Sequence, residues 1–209
     1  MSTILALTSS ALGTQSASTQ LVRHAIDRMR ADDPAIAVVH RDLGVDHIPH
    51  LNPDSAAVLK SGVAANPEQA RALALSDALV AELRNADTLL VGAPMYNFGI
   101  STTLKAWFDH VLRAGITFRY SEAGAVGLLT GKRALVVLSR GGLYSEGPSR
   151  AMDFQEPHLR GLLAFMGIGD VSIVRAERLG FGPEAREQAI AAATRDVEAA
   201  VRGKPLLAA

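Results

Sequence analysis

Ala93-Pro94-Met95-Tyr96-Asn97-Phe98-Gly99-Ile100-Ser101-Thr102-Thr103-Leu104-Lys105 follows directly on the apolar run Thr88-Leu89-Leu90-Val91-Gly92. A buried strand that ends in proline leads into a short loop with two aromatics and an amide, and then into a capped helix start. Open α/β sheets build a ligand shelf at their carboxyl edge in this way. Working outward, short β-branched or aliphatic runs recur at 4–7, 36–40, 88–92, 133–139 and 171–177, each bounded by polar or Gly/Pro residues. Segments with helical spacing lie between and after them at 19–30, 67–84, 102–114, 154–166 and 183–201.

Alternation of strand and helix calls for crossover connections, and therefore for a parallel sheet with helices on both faces. Five such units predict an α/β fold of flavodoxin-like order 2-1-3-4-5, whose switch point brings the loops after the first and third strands to one crevice. Capping chemistry agrees: Ser16 or Ser18 precedes the first helix, Asn66-Pro67-Glu68 opens the second, Ser101 the third and Gly182-Pro183-Glu184 the last. The stretch 42–66 is longer than an ordinary connection and predicts a flap or interface element, with one helical turn at Ala56-Ala57-Val58-Leu59. Residues 1–209 are expected to form a single domain, frayed over 203–209.

A chain of 209 residues is long enough to bury about 70 % of its unfolded surface. Its 21 basic and 21 acidic residues are interspersed, which argues against nucleic acid as a partner. The absence of cysteine excludes disulfides, thiolate metal sites and thiol redox chemistry, so any redox activity must come from a cofactor. The amino terminus has no basic segment and turns polar at Thr8-Ser9-Ser10, and no apolar stretch reaches the ~20 residues of a membrane span; a cytoplasmic address without membrane contact is expected.

Three loops carry candidate chemistry. The first, Thr8-Ser9-Ser10-Ala11-Leu12-Gly13-Thr14-Gln15-Ser16-Ala17-Ser18, offers hydroxyls and backbone amides at a helix entry without a single charge. An anion there gains about 0.3–1 kcal/mol per interaction from orphan N–H groups and the helix dipole. The loop lacks the lysine and glycine spacing of a triphosphate loop and the G-x-G-x-x-G of a dinucleotide site; a plain helix-capping turn is the alternative reading. The second loop, 94–98, supplies a rigid proline, polarisable and aromatic cover and an amide for a flat heteroaromatic ring such as an isoalloxazine; the alternative is that Met95, Tyr96 and Phe98 are core residues beneath a turn. The third, Ser139-Arg140-Gly141-Gly142-Leu143-Tyr144, presents unobstructed amides to a ligand, although adjacent glycines also mark ordinary turns.

These loops, with Arg113-Ala114-Gly115-Ile116-Thr117-Phe118-Arg119-Tyr120, resemble the FMN-dependent, NADH-linked azoreductases of the flavodoxin-like quinone reductase superfamily. The resemblance implies tightly but non-covalently bound FMN, with NADH or NADPH as donor and small aromatic quinones or azo compounds as acceptors, reduced by ping-pong two-electron hydride transfer. It assigns the FMN phosphate to Ser10, Ser16, Ala17 and Ser18, and the flavin to Met95, Tyr96, Asn97 and Phe98. Ser139, Arg140, Gly141 and Gly142 border the ring system, and no obligatory acid or base is named. It also implies a homodimer with its pocket at the interface, where Phe118 and Tyr120 reach toward a neighbouring flavin; Tyr144 joins them as a substrate-pocket residue. Ala17 and Ser101 depart mildly from the family pattern, while 143–155 gives no clear correspondence.

Other classes fit less well. His47 and His50 flank Ile48-Pro49 in a loop without a nearby carboxylate pair, against a zinc site. Gly99-Ile100-Ser101-Thr102-Thr103 misses the esterase elbow at its last residue, and the end of the first strand lacks the acids of a phosphoacceptor domain. The main alternative is a flavodoxin-type carrier passing single electrons to a protein partner, whose surface would be acidic. Arg41 and Lys60 are the candidate residues for choosing between NADH and NADPH.

Overall fold

The computed structural model describes residues 2–202. In chain order the strands are β1 (Thr3–Thr8), β2 (Ala37–Asp42), β3 (Thr88–Pro94), β4 (Phe118–Ser121), β5 (Gly124–Gly127), β6 (Arg133–Ser139) and β7 (Asp170–Ala176). The helices are α1 (Ala17–Asp32), α2 (Pro53–Ser61), α3 (Pro67–Asn85), α4 (Thr102–Val111), α5 (Glu156–Phe165) and α6 (Pro183–Arg202). Among these elements, none is a helix long and apolar enough to cross a membrane.

Strands β2-β1-β3-β6-β7 form one parallel sheet, the order expected once the added hairpin is discounted in the numbering. Every residue of β3 and β6 is buried, because both faces of the sheet are covered. The period-two alternation of the strands divides the core. Ile4, Ala6, Leu90 and Val137 face α1 and α6, whereas Leu5, Leu7, Val91 and Val136 face the layer that holds Leu79, Trp107, Phe108 and Leu159. Burying each such aliphatic or aromatic side chain contributes about 1.5–3 kcal/mol, which is why these short runs fold as strands despite weak local signals.

Register places the site. Thr8 pairs with Gly92 and Pro94 with Ser139, so the strands before all three candidate loops end at the same sheet edge. The close approach of neighbouring turns depends on glycine: a Cβ on Gly44, just after β2, would fall 2.5 Å from the Ser10 carbonyl oxygen.

Caps form at Asn66, which accepts from the Gln69 amide at 2.8 Å, and at Ser101, which accepts from the Leu104 amide at 3.2 Å. The first helix differs from expectation. α1 begins at Ala17, so Ser18 lies inside its first turn, and the Ser16 hydroxyl makes no capping bond but sits 3.0 Å from the Ser18 hydroxyl. Within 42–66 the single turn extends to a full α2, because Asn52 and Ser55 form a reciprocal capping box ahead of Pro53. The antiparallel pair β4–β5 was unexpected: its strands are four residues each and mostly exposed, and β5 is half glycine, which leaves no periodicity to read. The tail at 203–209 lies outside the described residues.

Candidate active site

Loop geometry at the sheet edge begins with the turn after β3. The Tyr96 amide donates to the Gly99 carbonyl and the Gly99 amide to the Tyr96 carbonyl, both at 3.0 Å, which closes a tight two-residue turn. Its corners, Asn97 (φ 47°) and Phe98 (φ 73°), both adopt the left-handed conformation. Asparagine tolerates that region; for phenylalanine it costs on the order of 1–3 kcal/mol, and strain of this kind gathers at ligand-binding sites.

The turn is tied to the loop after β1. The Tyr96 hydroxyl accepts from the Ala11 amide at 3.0 Å and lies 3.3 Å from the Ser10 hydroxyl, while the Ser9 hydroxyl donates to the Gly92 carbonyl at 2.9 Å. Beneath it, α1 begins with buried amides at Ala17, Ser18 and Thr19 that donate to no other group among the described residues. Orphan first-turn donors beside serine hydroxyls are the donor set that a phosphate monoester satisfies.

Ser10, Ser16, Ala17, Met95, Tyr96, Ser139, Arg140 and Gly141 line one cavity of about 250 Å³, together with Leu12, Pro94, Leu179, Gly180 and Arg186. Ser18 is fully buried behind Ser16. Asn97 belongs instead to a neighbouring cavity of about 490 Å³, which shares the Tyr96 wall and includes His47, Ser101 and Thr103. Leu179, Gly180 and Arg186 escaped the sequence reading. Arg186 is four positions into α6 and brings to the hollow the cation that the β1 loop lacks; only the crossover from β7 puts it there.

The ring-side loop after β6 is braced from two directions. Its carbonyls at Arg140, Gly141 and Gly142 accept from the amides of Leu179, Gly180 and Arg178 at 3.1, 2.9 and 2.9 Å. Arg140 is part of the hollow's lining, while its side chain is fully buried. It donates to Gln155 Oε1 at 2.9 Å, Glu177 Oε1 at 3.0 Å and Asp153 Oδ2 at 2.8 Å. Gln155 in turn donates to the Ala93 carbonyl at 2.9 Å, linking this hub to the end of β3.

Glu177 extends the hub to Tyr144. It accepts from the Tyr144 amide at 2.8 Å, from the Ser145 amide at 3.0 Å, and from the Ser145 hydroxyl. Burial pushes the Glu177 carboxyl up, but the hydrogen bonds from Ser145, Tyr144 and Arg140 and the Arg140 charge outweigh it and hold the group below the ordinary range. The Tyr144 ring lies against Gly142, where an added Cβ would come within 3.0 Å of it, and packs edge-on to Phe98 at 6.1 Å. The Phe154 amide donates to the Phe98 carbonyl at 3.1 Å. Phe98, Gly142 and Tyr144 therefore make an aromatic lip beside the hollow.

Phe118 and Tyr120 line neither cavity. Phe118 is buried 4.5 Å from the Phe165 ring, and Tyr120 leans on it at 72 % exposure. Arg41 is paired with Glu82, whose carboxylate accepts from its guanidinium at 2.5 and 2.7 Å. Lys60 is exposed on α2.

Comparison with known proteins accords with this geometry. A family model described as a flavodoxin-like fold matches residues 2–201. A relative from Hyphomonas neptunium, an FMN-dependent NADH:quinone oxidoreductase, is 52 % identical over 92 % of this chain and 92 % of its own. This chain belongs to that flavodoxin-like family. A second member, from Ralstonia nicotianae and of the same name, is 50 % identical over 91 % of this chain and 92 % of its own. Among solved structures, an azoreductase from Bacillus anthracis superposes with a TM-score of 0.89 at 25 % identity, covering 98 % of this chain and all (100 %) of the other.

Proposed function

We propose that this flavodoxin-family chain is an FMN-dependent NADH oxidoreductase that reduces quinones and azo compounds. The observation that carries the reading is the single hollow joining the unpaired first-turn amides of α1 to the rim formed by Met95, Tyr96, Ser139 and Gly141. One end suits a phosphate and the other a flat ring. FMN, when bound, supplies a ring that takes a hydride from a nicotinamide and passes the electron pair to an acceptor.

This chain's residues do the holding and orienting. Ser10, Ser16, Ala17 and Ser18 would hold the phosphate, with Arg186 adding charge. Met95 to Phe98 would cover the ring, and the amides of Gly141 and Gly142 would face its edge, supported from behind by Arg140. Tyr96 ties the phosphate loop to the ring loop, so the two ends of the ligand are positioned together. No side chain is assigned as acid or base. Donor and acceptor would use the one open face in turn, which gives ping-pong kinetics. The exposed Tyr120, carried by a hairpin remote from this chain's hollow, supports a homodimer in which it reaches the partner's ring. NADH or NADPH would stack on that open face as donor.

The visible spectrum of purified protein tests the cofactor: flavin absorbance is expected after dialysis, and a colourless protein after incubation with excess FMN would overturn the proposal. Anaerobic NADH should then bleach the flavin completely. Bound flavin that ignores NADH would mark an electron carrier instead.

A further inference from the structure

Beyond the aromatic lip, a second cavity of about 390 Å³ opens on the far side of Tyr144, where Arg150, Arg160 and Arg175 meet Asp153 and Glu156. Its acids are already engaged. Asp153 takes Arg140 on one oxygen and the amides of Gln155 and Glu156 on the other. Glu156 takes Arg175 on both oxygens, at 2.6 and 2.8 Å, and Arg160 at 3.0 Å. Arg160 and Arg175 remain 46 % and 36 % exposed, and Arg150 is exposed with no side-chain partner among the described residues. The cavity therefore presents partly exposed guanidinium groups while both of its carboxylates are engaged by donors already in place, an arrangement that favours oxyanions.

Tyr144 stands between this cavity and the hollow. It lines the arginine cavity, its ring packs edge-on to Phe98 and lies beside Gly142, the neighbour of the Gly141 that lines the hollow, and Glu177 fixes its backbone. A substrate whose ring stacks in the hollow and whose anionic group extends past Tyr144 would put that group among the arginines. We infer that this cavity is an oxyanion subsite for the redox substrate, and that its occupant is the pyrophosphate of the dinucleotide donor. The inference rests on the oxidoreductase reading above. A sulfonate on an azo acceptor carries the same chemistry, and the test separates the two.

Steady-state kinetics of the FMN-loaded enzyme would compare wild type with Arg150→Ala and Arg150→Glu. The donors are NADH and a neutral N-alkyl dihydronicotinamide; the acceptors are a sulfonated and an uncharged azo compound. Expected is a rise in KM for NADH of about tenfold in Arg150→Glu and less in Arg150→Ala. KM for the neutral donor and the flavin spectrum should stay constant, and inhibition by inorganic pyrophosphate against NADH should weaken in parallel. An effect confined to the sulfonated acceptor would overturn the donor assignment, and unchanged KM values throughout would overturn the subsite. A wild-type protein that holds no FMN or ignores NADH fails the oxidoreductase reading itself, which a silent Arg150 variant does not.

Discussion

The loops after β1 and β6 meet at one hollow, yet from Thr8 to Ser18 the first carries no charged residue. The second is pinned by a buried guanidinium with carboxylate oxygens at 2.8, 3.0 and 3.8 Å. The first leads into amides at Ala17, Ser18 and Thr19 that stay unpaired, since an anion is bound best where amides have no competing acceptor. The second keeps its charged side chain buried and engaged by carboxylates. Charge serves there to hold a flexible Gly-Gly segment still, a task that apolar packing cannot do for residues without side chains. One loop is built to receive and the other to stay in place, and each can be broken in its own way.

The largest effect should follow from putting charge where the first loop has none. A carboxylate about 4 Å from a phosphate costs on the order of 4 kcal/mol at intermediate dielectric, so Ser16→Glu should weaken FMN retention about a thousandfold and the Ser16→Glu, Ser18→Glu pair should abolish it. Equilibrium dialysis of Ser16→Glu, with its thermal midpoint as a control for folding, checks this. Unchanged occupancy would remove the phosphate assignment.

Next in size is the removal of charge from the second loop. Arg140→Met leaves Asp153 and Glu177 largely buried without their cation. Breaking such a pair costs about 3–5 kcal/mol, a fall of about 10 °C in Tm for a chain of this length. A drop under about 2 °C would mean that the backbone bonds from 178–180 hold the loop unaided.

The smallest and most discriminating effect is on acid stability. Burial pushes the Glu156 carboxyl up, but bonds from Arg175 and Arg160 and their charges outweigh it, so Glu156, like Glu177, sits below its ordinary value. With lowered folded-state values, the unfolded chain binds more protons as the pH falls. Their stabilisation is complete above the unfolded glutamate value of about 4.3 and disappears as the pH drops through the lower folded values. Denaturant midpoints measured from neutral pH to pH 3 should decline below about pH 4.5, and Glu177→Gln should flatten that decline. Equal slopes in the two proteins would assign the acid limb to other groups.

Local chemistry made much of the site legible. Pro94 at a strand end, Ser101 at a helix start and the serines ahead of α1 each obey rules spanning a few residues, and parallel pairing then brings Ser10, Met95 and Ser139 to one edge. The ring-side brace was not legible, because Arg140, Gln155 and Glu177 are separated in sequence by gaps that no periodicity records. The resemblance places Arg140 beside the ring system but says nothing of its side chain, whose burial depends on acids supplied by two other segments. The hairpin escaped for the opposite reason, having too few buried side chains to leave a pattern.

By itself, then, the order of residues determined the alternating elements, the strand order and the charge-free entry to α1, because these follow from side-chain period, capping and crossover handedness. Only the tertiary structure decided that Tyr96 ties two loops together, that Phe98 is held in the left-handed conformation, and that Arg140 faces inward while Arg186 reaches the hollow. The physical reason is that hydrogen bonds and ion pairs between distant segments depend on distances in space, which the sheet register sets only after the core has packed.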